Sequence, residues 1–106
     1  MLESEDCDVE VLDLRSIVPC DYNAILKSLA RTGRLVVVQE ASRTCSLGQA
    51  IIAEIVSRAE SWNMLAGPPL LVSRGDVHVG YHRALEYGVL PNAERVAQAV
   101  RTLVNW

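Results

Sequence analysis

The sequence predicts an α/β fold, with helices flanking a small, mostly parallel sheet in three layers. Two patterns predict it. Segments with strand-like and helix-like hydrophobic periods alternate along the 106 residues. In addition, Arg34-Leu35-Val36-Val37-Val38-Gln39-Glu40 is a continuous apolar run with polar ends. Strands covered by helices on both faces of a parallel sheet read this way.

Each element follows in order. DVEVLDLR carries Val9, Val11, Leu12 and Leu14 in a short β-branched run that predicts a strand. Ile17-Val18-Pro19-Cys20-Asp21 predicts a turn, because Pro19 disfavours helix in the residue before it. Asp21 is a good N-cap, and Tyr22–Thr32 places Ile25, Leu26 and Leu29 on one helical face. Gly33 stands where a helix wants a left-handed residue at its end. The run from Arg34 to Glu40 is the second strand. A polar loop, Ala41 to Ser46, leads into a second helix on Leu47, Gly48, Ile51, Ile52, Ile55, Val56 and Ala59, ending near Trp62-Asn63, with Ser46 as its cap. Gly67-Pro68-Pro69 breaks the chain before a third strand, Leu70-Leu71-Val72. Arg74 to Tyr81 reads as irregular, Ala84 to Tyr87 as one helical turn. Asn92 then caps a last helix whose apolar face is Val96, Val100, Leu103 and Val104. One domain, residues 1–106, is expected.

Composition narrows the function classes. Half the residues are hydrophobic, 22% are charged and the net charge is -3. That mix builds a core. The ten basic residues, all Arg except Lys27, are scattered among thirteen acidic ones, which argues against a nucleic-acid surface. No apolar run approaches the ~20 residues of a membrane span. The acidic start MLESEDCDVE has no apolar h-region and does not read as a signal peptide. Cys7, Cys20 and Cys45 are odd in number, widely spaced and without CxxC. Reduced thiols in a cytoplasm are the simplest reading, with Cys20 and Cys45 as small buried hydrophobes.

Groups that carry chemistry are few. His78 and His82 are four apart, but Gly80 lies between them and no HExxH is formed, so two loop histidines are expected rather than a metal site. Gly33 and Gly48 make neither GxGxxG nor a P-loop. Ser42, Ser46 and Ser73 lack a nucleophile elbow, and Arg74-Gly75-Asp76 reads as a turn. Glu40 ends the most buried strand, where α/β sheets place functional groups. Asp13 and Arg15 end the first strand in the same way. Asp13, Arg15, Glu40 and Ser42 are therefore the candidate interface or strand-end cleft, and no catalytic, cofactor-binding or metal residue is assigned.

These segments together carry a family resemblance. Val9–Asp21 resembles the VEVIDLRTLVPLD signature of the transketolase C-terminal domain, a Rossmann-like fold, in the version found in the beta subunit of the E1 component of 2-oxoacid dehydrogenases (pyruvate, branched-chain and acetoin dehydrogenases). Thr32–Ala41 is similar to TGRLVVVHEA. Gly48, Ile51 and Ala53 sit where the family has GFGAEIAA. Gly75-Asp76-Val77, Tyr81, Leu85-Glu86 and Leu90-Pro91-Asn92 resemble GxDVPxPYxxxLExxxLPN. The departures are Gln39 for His, Cys45 and Leu47 for Gly and Phe, Ala50 for Glu, and His78 and Gly80 for two prolines. The resemblance also implies an earlier strand and helix, of which Leu2-Glu3-Ser4-Glu5 looks like the tail. In the family that strand lies between the counterparts of Val9–Leu14 and Leu35–Val38. Without it the two strands must pair directly, borrow a strand or swap between copies. Forgoing ~400 Å² of apolar burial would cost ~10 kcal/mol, so a homodimer or an obligate partner chain is expected.

The resemblance implies that thiamine diphosphate and Mg in the parent enzyme are held by other domains, and that this chain binds none. It implies a non-catalytic assembly domain that joins subunits, with an E1 alpha-like or thiamine-binding chain as partner and E2 docking as a further role. Two other readings stay open: a split component of a transketolase-like thiamine enzyme active only with a partner, and a stand-alone small-molecule-binding module using the cleft near Glu40 and Ser42.

Overall fold

A computed structural model of the chain describes residues 6–106. Its elements are α1 (Tyr22–Thr32), β1 (Val36–Ser42), α2 (Leu47–Val56), α3 (Ala59–Met64), β2 (Leu70–Arg74), α4 (Arg83–Val89) and α5 (Ala93–Val104). Helices flank a small parallel sheet, as the alternation predicts. Among the described residues that sheet has two strands, with Val36 in register with Leu70, Val37 with Leu71 and Val38 with Val72. The register shifts between Val38 and Ser42, so the end of β1 leaves the regular ladder.

Local chemistry sets the helix ends. Asp21 accepts from the Ala24 N–H at 3.1 Å and opens α1. Gly33 closes it at φ 70°, with its N–H on the Leu29 carbonyl at 2.8 Å. Ser46 Oγ accepts from the Gln49 N–H at 3.3 Å at the start of α2, and Asn92 Oδ1 from the Arg95 N–H at 3.0 Å at the start of α5.

The main core joins α1 to α2. Ile25, Leu29, Ile51 and Ile55 are buried together, and Leu35 and Val37 from the sheet side pack against them with Met64 and Leu65. Arg58 lies 5.2 Å over the Tyr22 ring and ties the α2–α3 corner to α1. α5 contacts both strands and buries Ala97 and Leu103 outside that cluster. The Arg34 side chain, donating to the Leu103 carbonyl at 2.8 Å, ties the start of β1 to the end of α5.

The structure corrects four expectations. Val9–Leu14 forms no strand. It runs beside α1 instead: the Glu10 carboxylate accepts from Ser28 Oγ at 2.8 Å and from Arg31 at 2.5 Å, and Leu14 packs on the core cluster. A strand needs a neighbour's backbone, and the ladder of β1 goes to β2. Direct pairing of Val9–Leu14 with Leu35–Val38 therefore does not occur within one copy.

The single second helix is two. Ser57 Oγ bonds the Ala53 carbonyl at 2.6 Å, and Arg58 turns extended at φ -90°, ψ 125°, so α3 starts in a new direction and reaches α1. The helical turn at Ala84–Tyr87 extends to the full α4, because His82 Nδ1 accepts the Ala84 N–H at 3.2 Å and caps it. Cys45 is exposed rather than buried; Cys20 is half-buried against the core. The helix tail read at Leu2-Glu3-Ser4-Glu5 lies outside the described residues.

Candidate functional site

The carboxyl ends of β1 and β2 carry most of the polar groups of the sheet. Gln39 side-chain Oε1 accepts the Gly48 N–H at 2.7 Å while its Nε2 donates to the Ser42 carbonyl at 3.1 Å. An amide supplies both functions at once, so one side chain holds the end of β1 against the start of α2. With Ser46 on Gln49 and Gln39 on Gly48, two of the free N–H groups of α2 are already occupied.

A second latch joins the two loops. Asp76 accepts from the Thr44 N–H at 3.0 Å and from the Thr44 hydroxyl. These bonds hold its carboxyl below the ordinary value of 3.8, the Thr44 hydroxyl first and its N–H next, with Arg43 adding to them. Arg43 Nη1 donates to the Leu71 carbonyl at 3.3 Å, and Arg95 Nη2 to the Ser73 carbonyl at 2.7 Å. Gln39, Arg43, Thr44, Asp76 and Arg95 are spent on holding loops and strands together.

Glu40 is different. It is exposed, and no hydrogen bond or ion pair engages its carboxylate among the described residues. It lines an open groove of about 360 Å³ with Val38, Gln39, Leu90 and Pro91. Ser42 sits two residues on, half-buried, in register with Arg74. Asp13 and Arg15 form an ion pair at 3.2 Å with both side chains largely exposed, a contact of about 0–1 kcal/mol. The structure joins Asp13 to Arg15, but among the described residues no hydrogen bond or ion pair joins Glu40 to Ser42 or either of them to that pair.

Gln39, Thr44, Asp76 and Arg95 organise this end and sequence reasoning missed them. The signal for Asp76 was a short polar side chain just after a strand, beside Gly75. Gln39 and Arg95 act through partners 9 and 22 residues away, which no local pattern shows.

The described residues do not fit a diphosphate and its metal. No group of three His, Cys, Asp or Glu is placed to hold a cation, and two of the first-turn N–H groups of α2 that could meet a phosphate are taken by Gln39 and Ser46. His82, one half of the histidine pair, is used as a helix cap. No helix of the described residues is long and apolar enough to cross a membrane.

Comparison with known proteins agrees with this architecture. The family profile described as transketolase, C-terminal domain, matches residues 1–96. The chain is 36% identical over 102 residues to the pyruvate dehydrogenase E1 component subunit beta of Rhizobium meliloti (strain 1021), covering 96% of this chain and 22% of that protein. It is 40% identical over 101 residues to the same subunit of Rickettsia bellii (strain RML369-C), covering 95% of this chain and 30% of that protein. A 58-residue stretch, 55% of this chain and 18% of the relative, is 48% identical to the subunit of Staphylococcus aureus (strain Mu50 / ATCC 700699). The chain thus spans less than a third of the length of these relatives.

Proposed function

Since the chain belongs to the transketolase C-terminal domain family, we propose that it is a non-catalytic association domain of an E1 beta-like subunit of a thiamine-diphosphate-dependent 2-oxoacid dehydrogenase. Residues 1–106 act as one such domain. Thiamine diphosphate and Mg belong to the parent enzyme and are held by a partner, an E1 alpha-like or thiamine-binding chain. E2 docking is a further role of the same domain, and the location is the cytoplasm, in keeping with three free thiols.

The observation that carries this reading is the family match over residues 1–96, together with strand ends at which Gln39, Thr44 and Asp76 are engaged internally and Glu40 stands alone. Groups that hold a scaffold rigid are suited to presenting a surface. A reacting site needs acids, bases or nucleophiles in mutual hydrogen-bond geometry beside a substrate cavity, and Glu40 has no such partner among the described residues. The chain orders the surface, and the bond-making groups belong to the chain it joins.

The test is reconstitution. The purified chain should bind no thiamine diphosphate by calorimetry and decarboxylate no 2-oxoacid. Mixed with an E1 alpha-like chain and the thiamine-binding domains, it should co-migrate with them in gel filtration. Turnover of pyruvate by the lone chain would overturn the proposal. A thermal shift with a small metabolite and no partner would instead favour the small-molecule module.

A further inference from the structure

Three arginines meet along the outer edge of β2, the side turned away from β1. The Leu70 N–H donates to the Leu35 carbonyl at 3.0 Å, so in a parallel ladder the Leu71 and Ser73 carbonyls point outward. Arg43, in the loop before α2, donates from Nη1 to the first at 3.3 Å. Arg95, in the first turn of α5, donates from Nη2 to the second at 2.7 Å. Arg74 follows Ser73 and ends β2. This edge is independent of whatever lies beyond β1, because the outer sides of two neighbouring strands face opposite ways.

None of the three has a carboxylate partner among the described residues, although the chain holds thirteen acidic residues to ten basic ones. Arg15, Arg31, Arg58 and Arg101 are each ion-paired, with Asp13, Glu10, Glu54 and Glu94. The acid beside Arg43 is Asp76, and Thr44 holds both oxygens of that carboxylate. A guanidinium has five N–H donors. Arg43 spends one of them on Leu71, and Arg95 two, on the Ser73 carbonyl and on that of Val89 at 3.3 Å. Arg74 makes no hydrogen bond among the described residues, and its Nε is buried. A buried donor left unmet costs free energy until an acceptor reaches it. Carbonyls satisfy donors but leave the charge uncompensated, and a carboxylate is the strong partner of a guanidinium.

Spacing sets the kind of carboxylate. Outward carbonyls two residues apart on a strand are separated by about 6.6 Å, so Arg43 and Arg95 are placed for two carboxylates rather than one. An extended chain with acidic residues at alternate positions presents that spacing. Beside Arg43 an open groove of about 350 Å³, lined by Gln49, Ile52, Ala53, Pro69 and Leu71, has room for an apolar side chain of the same segment.

We propose that the outer edge of β2 is a docking surface for an extended acidic segment of a partner chain, with carboxylates two residues apart on Arg43 and Arg95 and Arg74 adding charge at the same strand end. Because its carbonyls are already covered, the edge recruits the side chains of that segment and not its backbone. This deepens the association role proposed above by naming a surface and the chemistry it meets. The two readings fail separately, because reconstitution with an E1 alpha-like chain can succeed through another face.

The probe is the synthetic peptide Gly-Ser-Glu-Ser-Glu-Ser-Gly. In calorimetry on the full chain it should bind, its glutamine twin should not, and binding should weaken as salt is raised. Arg43→Gln and Arg74→Gln, with unchanged circular dichroism, should each weaken it about tenfold. Arg83→Gln, at an exposed site on α4, should leave it unchanged. Equal binding of the two peptides would overturn the docking surface. So would no binding at all, or binding that ignores Arg43 and Arg74 or falls as far with Arg83→Gln. Adipate, a free dicarboxylate of similar span, binding as tightly as the peptide would put a small molecule in place of the partner segment and overturn it too.

Discussion

Gln39 Oε1 lies 2.7 Å from the backbone nitrogen of Gly48 and accepts its N–H, binding the end of β1 to the first turn of α2. The approach is close because Gly48 has no side chain. A Cβ there would stand 2.5 Å from Leu71 Cδ1 and 2.7 Å from Gln39 Oε1. In an exposed helix Gly→Ala gains up to about 1 kcal/mol. Here Gly48→Ala should lose about 1–3 kcal/mol, because overpacking moves Leu71 and breaks the Gln39 bond. Urea denaturation would read the sign directly.

The Thr44–Asp76 latch should be sensitive to acid. Asp76 has its folded pKa lowered below 3.8 by the Thr44 hydroxyl, then by its N–H and by Arg43. A depressed carboxylate contributes stability that is fully present above its unfolded pKa and is lost as pH falls through the folded one. The stability gap between the parent chain and Asp76→Asn should therefore be constant from pH 5 to 7, at about these values by the reference pKa of Asp, and should close in more acid solution. Denaturant midpoints across that range would test it, and a gap that widened in acid would contradict the latch.

Ile55 is fully buried between α1 and α2. Ile55→Ala should cost about 2–5 kcal/mol through lost burial and the cavity left behind. Glu60→Ala, on the exposed side of α3, serves as the control and should change the melting midpoint little.

Ser61 is also fully buried, and its Oγ has no hydrogen-bond partner among the described residues. Removing an unsatisfied buried hydroxyl relieves its desolvation cost. Ser61→Ala should raise stability by about 1 kcal/mol, seen as a higher thermal midpoint; a lower one would mean that the hydroxyl is bonded in solution.

Cys45 holds φ at 56°, a left-handed value that a Cβ makes costly, at the position where the resembling family has Gly. Cys45→Gly should stabilise the loop by about 0.5–1 kcal/mol, because relief of that strain exceeds the entropy glycine adds to the unfolded chain. Calorimetry of the two proteins would check it.

The elements the sequence determined are those decided within a few residues. The Asp21 cap, the Tyr22–Thr32 helix and the Gly33 stop follow from neighbours one to four positions apart, as does the Asn92 cap of α5. The apolar run around Val36–Val38 is a strand, as its composition predicts, but the covering on both faces is not met: no residue of β1 is buried, Val38 is 50% exposed, and β2 is the more buried strand. Tertiary structure decided the rest. Val9–Leu14 has the composition of a strand, yet pairing depends on which backbone lies alongside, and here Glu10 binds it to α1. Glu40 reads in the sequence as a strand-end carboxylate and Asp76 as part of a turn. Only the fold brings Thr44 to one and leaves the other facing an open groove, because hydrogen bonds between distant loops are set by packing and not by spacing along the chain.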